Sequence, residues 1–206
     1  MKFSKLTMVL VLAAIAAFNS HVFSQSTGLG IEGGLNLANM SVTPNFNTST
    51  RTGLMVGGFV DIGVSNIISI RPGVRFVMKG FSASSNGITI TERLSYLEMP
   101  MLLKGSIPLQ RVKPYFVAGP TLAIQLSATQ EATNGVQVQT DDASSAFETI
   151  DFGLYFGGGL DFHVANNIDV FTGFGYSLGL TNISKIPNFE GKNNGIQVTG
   201  GIKFNL

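Results

Sequence analysis

From Gly195 to Leu206 the chain sorts by twos. Ile196, Val198, Ile202, Phe204 and Leu206 fall on one parity, and Gln197, Thr199, Lys203 and Asn205 on the other, with glycine in both sets. Successive side chains of a strand point to opposite faces, so this stretch predicts a β-strand between an apolar and a polar environment. The pattern recurs upstream over 28–40, 53–64, 67–79, 93–105, 114–126, 150–164 and 168–180. Residues 28–40 set Leu29, Ile31, Leu35 and Leu37 against Glu32 and Asn36. Residues 67–79 set Ile68, Ile70, Val74, Phe76 and Met78 against Arg71, Arg75 and Lys79. Residues 150–164 set Phe152, Leu154, Phe156, Leu160 and Phe162 against Asp151, Tyr155, Asp161 and His163.

Between these segments the connections alternate. Residues 41–52, 80–92, 127–149 and 181–194 read as polar loops, whereas Ser65-Asn66, residues 107–113 and Asn166-Asn167 read as short turns. Short turns on one side, long loops on the other and an even strand number are the layout of outer-membrane barrels. The segments are also long enough, since a tilted membrane strand needs about 9–11 residues. The expectation is an all-β, eight-stranded antiparallel up-and-down transmembrane β-barrel, with short periplasmic turns and longer external loops. The aromatic residue two places before an apolar last residue suits a closing strand handed to the barrel-assembly machinery. Pro72 and Pro100 lack an N–H and predict bulges or irregular pairing.

Parity alone leaves two arrangements open, a soluble lipocalin-like barrel with its apolar face inward and a membrane barrel with that face in lipid. The polar parity decides between them. It carries Glu32, Asp61, Glu98, Asp151, Asp161 and Asp169 against Arg71, Arg75, Lys79, Lys104 and Lys203. Nearly balanced charge among small residues suits a narrow interior that must satisfy its own ions. Arg71, Arg75, Glu98, Lys104, Glu32 and Asp61 are the expected interior ion network. Phe81, Phe152, Phe162 and Phe204 are expected as aromatic girdles on the lipid face.

Composition agrees. Charged residues make up 12% of the chain, about half the usual share, with 25 glycines and 16 phenylalanines. Residues 1–24 have the form of a signal peptide: Lys2 and Lys5, an apolar run from Met8 to Phe18, and Val22 and Ser24 before a cut at Gln25. The barrel domain is then 25–206. Without Lys2 and Lys5, eleven basic side chains face twelve acidic ones. That leaves no excess of positive charge for nucleic acid. The absence of cysteine excludes a disulfide scaffold and thiolate metal sites.

One block is more specific. Ile70-Arg71-Pro72-Gly73-Val74-Arg75-Phe76 and Lys79-Gly80 precede Tyr96-Leu97-Glu98-Met99-Pro100-Met101-Leu102-Leu103-Lys104, followed by Pro114-Tyr115 and Gly119-Pro120. This resembles the outer-membrane beta-barrel (porin-like) protein family of Bacteroidetes, which also includes PorT-like proteins of a secretion and gliding system. The resemblance implies a barrel in the cell outer membrane, reached through a cleaved signal peptide, and implies no specific activity.

The candidates for chemistry are poor. Beyond residue 24, His163 is the only histidine, and it falls at the periplasmic end of its segment, away from outer-leaflet lipid. Asp141-Asp142 with Glu148 matches no cation loop, and Gly157-Gly158-Gly159 lacks the lysine of a phosphate loop. The expectation is no enzyme, no cofactor and no metal. The function expected is that of an integral outer-membrane barrel with a structural or interaction role, set in outer-membrane lipid, with a protein partner at its external loops. The alternatives are a small general diffusion porin and a PorT-like component of protein secretion.

Overall fold

The computed structural model describes residues 27–44, 47–85 and 87–206. The expected signal peptide, 1–24, lies outside the described residues. Nine strands form: β1 (Thr27–Thr43), β2 (Arg51–Gly63), β3 (Ile68–Ser85), β4 (Ile88–Ser106), β5 (Val112–Thr133), β6 (Val138–Asp142), β7 (Ile150–Ala165), β8 (Ile168–Gly179) and β9 (Glu190–Asn205). Eight of them close a ring in the order β4, β3, β2, β1, β9, β8, β7, β5, with β5 returning to β4. The first and last strands pair from Gly28↔Asn205 to Thr43↔Glu190, so no edge is left open inside the membrane. β6 is additional, pairing only with the far end of β5.

Alternation places the apolar parity outside. Leu29, Ile31, Leu54, Val56, Leu103, Phe116 and Phe174 are 52–60% exposed, the fractions expected of a face that contacts lipid. Phe152, Phe162, Tyr176 and Phe204 also face outward. Phe81 does not, and this corrects the girdle assignment. It shares the parity of Lys79, and it packs inside against Met40, Leu94 and Tyr96. The pleat overrules residue type here.

The prolines interrupt pairing without shifting it. Pro72↔Met101 and Arg75↔Glu98 belong to one register, as do Pro100↔Thr121 and Leu103↔Ala118. The register shift between β4 and β5 lies instead at Ser95/Tyr96, where Leu126 of β5 is the extra residue. A missing donor thus removes ladder bonds but inserts no residue.

All four expected loops are partly strand, and 41–52 takes in the end of β1 and the start of β2. Residues 80–92 continue β3 and β4 into a hairpin, 127–149 contain the end of β5, β6 and a 3-10 turn at Ser144–Ala146, and β9 begins at Glu190. Ser82 with Thr91 (3.0 Å) and Ser84 with Thr89 (2.8 Å) form hydroxyl pairs across that hairpin. The alternation there is out of phase with the membrane part: Phe81, Ala83 and Ile90 share the lumen parity and the hydroxyls take the outward one, so backbone pairing continues above the apolar belt.

The short turns 64–67 and 166–167 define one rim and the long connections the other. By the rule for such barrels, the short-turn rim is periplasmic. A cysteine introduced at exposed Ser145 (S145C) is therefore expected to react with a membrane-impermeant maleimide on intact cells. Asn166→Cys should react only after lysis. The reverse pattern would invert the barrel, and protection of both sites would take it out of the outer membrane.

Candidate functional site

Inward-facing charges fill the lumen in two layers. Ten of the eleven charged residues on the polar parity are at most 7% exposed, and the Glu32 side chain is 13% exposed. Removing that many ions from water is tolerable only if each finds partners.

The layer nearer the periplasm starts from Arg71 on β3. Its guanidinium grips the Asp61 carboxylate of β2 with both arms, Nη2 donating at 2.7 Å. Lys104 on β4 reaches Asp61 (3.3 Å) and Asp161 of β7 (2.6 Å). Lys203 on β9 links Asp161 (3.2 Å) to Asp169 of β8 (3.1 Å). His163 Nδ1 lies 2.8 Å from Asp169 Oδ1, and Asn205 donates to the other oxygen at 3.1 Å.

The layer nearer the outside is built on Glu98 of β4, which is fully buried. Arg75 Nε donates to it at 2.7 Å across the β3–β4 ladder, and Lys79 Nζ lies 2.9 Å from its other oxygen. Arg75 also lies 3.7 Å from Glu32. Lys79 crosses the lumen to Asp151 of β7 at 3.2 Å, and Asn193 of β9 donates to the same oxygen at 3.0 Å.

Aromatic rings separate the layers. The Arg71 guanidinium stacks 4.0 Å above Phe59, Lys104 lies 4.4 Å over Tyr115, and Arg75 lies 5.0 Å over Tyr155. Phe59 meets Phe171 edge to face at 5.5 Å. What remains between the layers is a cavity of ≈ 20 Å³ lined by Glu32, Phe59, Arg71, Arg75, Tyr115 and Tyr155 among others. That is room for about one water molecule.

Of the six residues named from sequence, Asp61, Arg71 and Lys104 lie in the first layer and Glu32, Arg75 and Glu98 in the second. Lys79, Asp151, Asp161, Asp169 and Lys203 complete the two layers, although the sequence placed them no further than the polar parity. Register could have paired Asp169 with Lys203, which lie opposite each other on β8 and β9. It could not pair Lys79 with Asp151, whose strands are not neighbours.

The extracellular end is closed by apolar packing. Phe147 and Ile183, from the connections before β7 and β9, insert among Met40, Val42, Phe81, Leu94 and Tyr96. Those connections are tied together, Glu148 N donating to Ile183 O at 2.7 Å and Lys185 N to Ala146 O at 2.9 Å. Above this plug, β3, β4, β5 and β6 stand out as a crown. Arg93 pairs with Glu131 at 2.8 Å on its surface. Asp142 accepts a hydrogen bond from Ser144 N at 2.8 Å, and the contacts of Ser144 hold its carboxyl below the usual carboxylate range.

The inward layers, the plug and the lipid-facing belt together describe a small closed barrel, and the comparisons agree. A family model described as "Outer membrane protein beta-barrel domain" matches residues 23–185. No curated protein matches the chain. The crystal structure of neisserial surface protein A superposes with a TM-score of 0.54 at 12% identity, covering 86% of this chain and 96% of that one. A major outer membrane protein from Thermus thermophilus gives a TM-score of 0.52 at 10% identity, covering 88% of this chain and 100% of that one. At these identities the likeness is one of fold. A matched family model over most of the length, a closed eight-strand ring and an apolar outer belt lead to one statement: the chain belongs to the outer membrane protein beta-barrel domain family and is an integral protein of the cell outer membrane.

Proposed function

We propose that the protein is a closed, non-conducting barrel whose role is structural and interactive, with the extracellular crown as its working surface. The observation that carries this reading is the filled lumen: two ion layers, a ring of aromatics between them and ≈ 20 Å³ of free space at the waist. A hydrated ion needs a continuous wet path, and rearranging so many interlocked charges to open one is costly. The apolar plug of Phe147 and Ile183 closes the outer end a second time.

Residues 1–24 act in this reading as the export signal and 25–206 as the barrel domain. The barrel-assembly machinery inserts the chain, and a protein partner meets the outer surface. The protein is non-enzymatic, since His163 is engaged by Asp169 at the periplasmic rim rather than beside outer-leaflet lipid. The likeness to Bacteroidetes and PorT-like proteins rests on the Tyr96-Leu97-Glu98-Met99-Pro100 block. Glu98 there is occupied in the ion layer, so the block supports the fold and the location more than a role in secretion.

Planar-bilayer recording of purified protein tests the proposal. The expected result is a silent membrane at protein amounts that give clear signals with a general porin. Stable, reproducible openings would overturn it in favour of a small diffusion pore.

A further inference from the structure

The crown has two lateral edges, and they are treated differently. On the β3 side, Ser49 pairs with Ser82 through both backbone bonds, N to O at 2.7 and 3.0 Å. The other edge is β6, five residues long and exposed throughout. Its register with β5 runs from Thr129↔Asp142 to Thr133↔Val138. The bonds Ala143 N to Ala128 O (3.0 Å) and Asn134 N to Gln137 O (3.4 Å) continue that register at its two ends. In an antiparallel ladder, bonded pairs alternate with unbonded ones. Gln139 and Asp141 therefore spend their backbone groups on β5, while those of Val138, Thr140 and Asp142 point away from it. Among the described residues none of these three has a backbone partner on that outer side.

An unpaired edge is a template for another strand, and proteins ordinarily blunt such edges by shortness, charge, lysine, proline, a bulge or a cover. This one is short and carries the two charges of Asp141 and Asp142, but it has no lysine, proline, bulge or cover among the described residues. Its side chains instead specify a partner. Residues 127–149 contain Glu131, Asp141, Asp142 and Glu148 and no lysine or arginine. Glu131 is matched by Arg93, and Glu148 lies 3.9 Å from Lys185. Among the described residues Asp141 and Asp142 have neutral partners only, Gln139 and Ser144. Val136 and Val138 beside them are 90% and 64% exposed.

We propose that β6 is a docking edge for an extended, basic polypeptide segment of a partner protein outside the cell, which adds to the crown as an antiparallel strand. This inference rests on the reading of the crown as the working surface. A partner strand would take six backbone bonds from Val138, Thr140 and Asp142, place basic side chains opposite Asp141 and Asp142, and lay an apolar one opposite Val138. A second copy is the poorer occupant. β5 runs outward and β6 back toward the membrane, so two copies in one membrane would present β6 strands running the same way. A two-fold axis along the membrane normal cannot then give antiparallel pairing.

The test uses full-length barrel in lipid nanodiscs and synthetic peptides with the core Lys-Lys-Thr-Thr-Val, read N to C opposite Asp142 to Val138. The basic peptide is expected to bind, and the same core with Glu-Glu to bind at least about tenfold more weakly, because like charges would then face each other across the strands. Amide exchange should slow at Val138, Thr140 and Asp142 and stay unchanged at Gln139 and Asp141. Thr140→Pro removes a donor that β5 does not use, so it should leave the barrel's heat-shifted gel mobility intact while weakening the basic peptide by about tenfold. Absence of binding by the basic peptide, binding indifferent to T140P, or binding without slowed exchange at those three amides would each overturn the proposal. Slowed exchange without peptide that rises with the protein-to-lipid ratio would assign the edge to a second copy, also overturning it. A conducting barrel could still give the expected binding, so this inference and the closed-barrel reading fail separately.

Discussion

Replacing Glu98 with alanine is expected to cost about 3–5 kcal/mol of unfolding free energy, the penalty for removing one partner of a buried ion pair. Glu98 is fully buried and is the shared anion of Arg75 and Lys79. Without it, the remaining anions among the described residues are Glu32 at 3.7 Å for Arg75 and Asp151 at 3.2 Å for Lys79. Two cations then face each other across a space without bulk water. The chain contains no tryptophan, so urea unfolding is best followed by circular dichroism or by the heat-shifted gel mobility of folded barrels. A lower midpoint at unchanged slope is the expected signature. Glu98→Gln should fall between wild type and alanine, because it keeps the shape and one acceptor but not the charge. The double change Arg75→Met with Glu98→Leu should recover part of the loss, since apolar replacement of a whole pair is often neutral or better. A Glu98→Ala barrel within about 1 kcal/mol of wild type would show that the layer is wet enough to screen its own ions.

The second large effect contrasts two adjacent glycines. A Cβ built at Gly201 points inward, onto the Ile31 carbonyl of the next strand and onto the Phe171 ring, with Cζ at 2.6 Å and Cε1 at 2.8 Å. At Gly200 the Cβ points to lipid, and its closest neighbour is Phe171 O at 3.4 Å. Gly201→Val should therefore destabilise by roughly 1–3 kcal/mol or more, because overpacking here meets backbone that cannot rotate away. Gly200→Val should be nearly neutral in the same unfolding experiment. Equal effects at both positions would mean that backbone freedom of glycine, rather than space inside the barrel, sets the requirement.

The aromatic interior gives these glycines their purpose. Tyr155 lies over Gly157 and Gly175, Tyr115 over Gly159 and Gly173, and Phe171 over Gly201. Each ring occupies room that a side chain at the glycine, on the same or another strand, would fill. The rings then stand between the charge layers, where the guanidinium and ammonium groups lie against their faces. A narrow barrel thereby fills its lumen with few atoms left unpacked.

Strand periodicity, read residue by residue, assigned the lipid and lumen faces of all eight membrane strands, because the pleat is a local property and one face had to be apolar throughout. It also placed Arg75 and Glu98 on facing parities of consecutive strands, where register is short-range. It lost its hold above the membrane. There the outward face turns polar, with Ser82, Ser84, Thr89 and Thr91 where the membrane part has apolar residues, so the 80–92 hairpin falls out of phase with the lipid-facing pattern, and β6 is polar apart from Val138. Phe81 shows the same limit from the other side, since its type suggested lipid while its parity put it in the extracellular plug. The contacts that only the closed structure decided are those across the lumen. Lys79 meets Asp151, and Lys203 meets Asp161, between strands that are not neighbours in the sheet. Which inward side chains meet depends on the tilt and stagger with which the ring closes, a property of eight strands together that no single segment carries. The free backbone edge of β6 is of the same kind, because a strand is an edge only by virtue of what the rest of the chain leaves beside it.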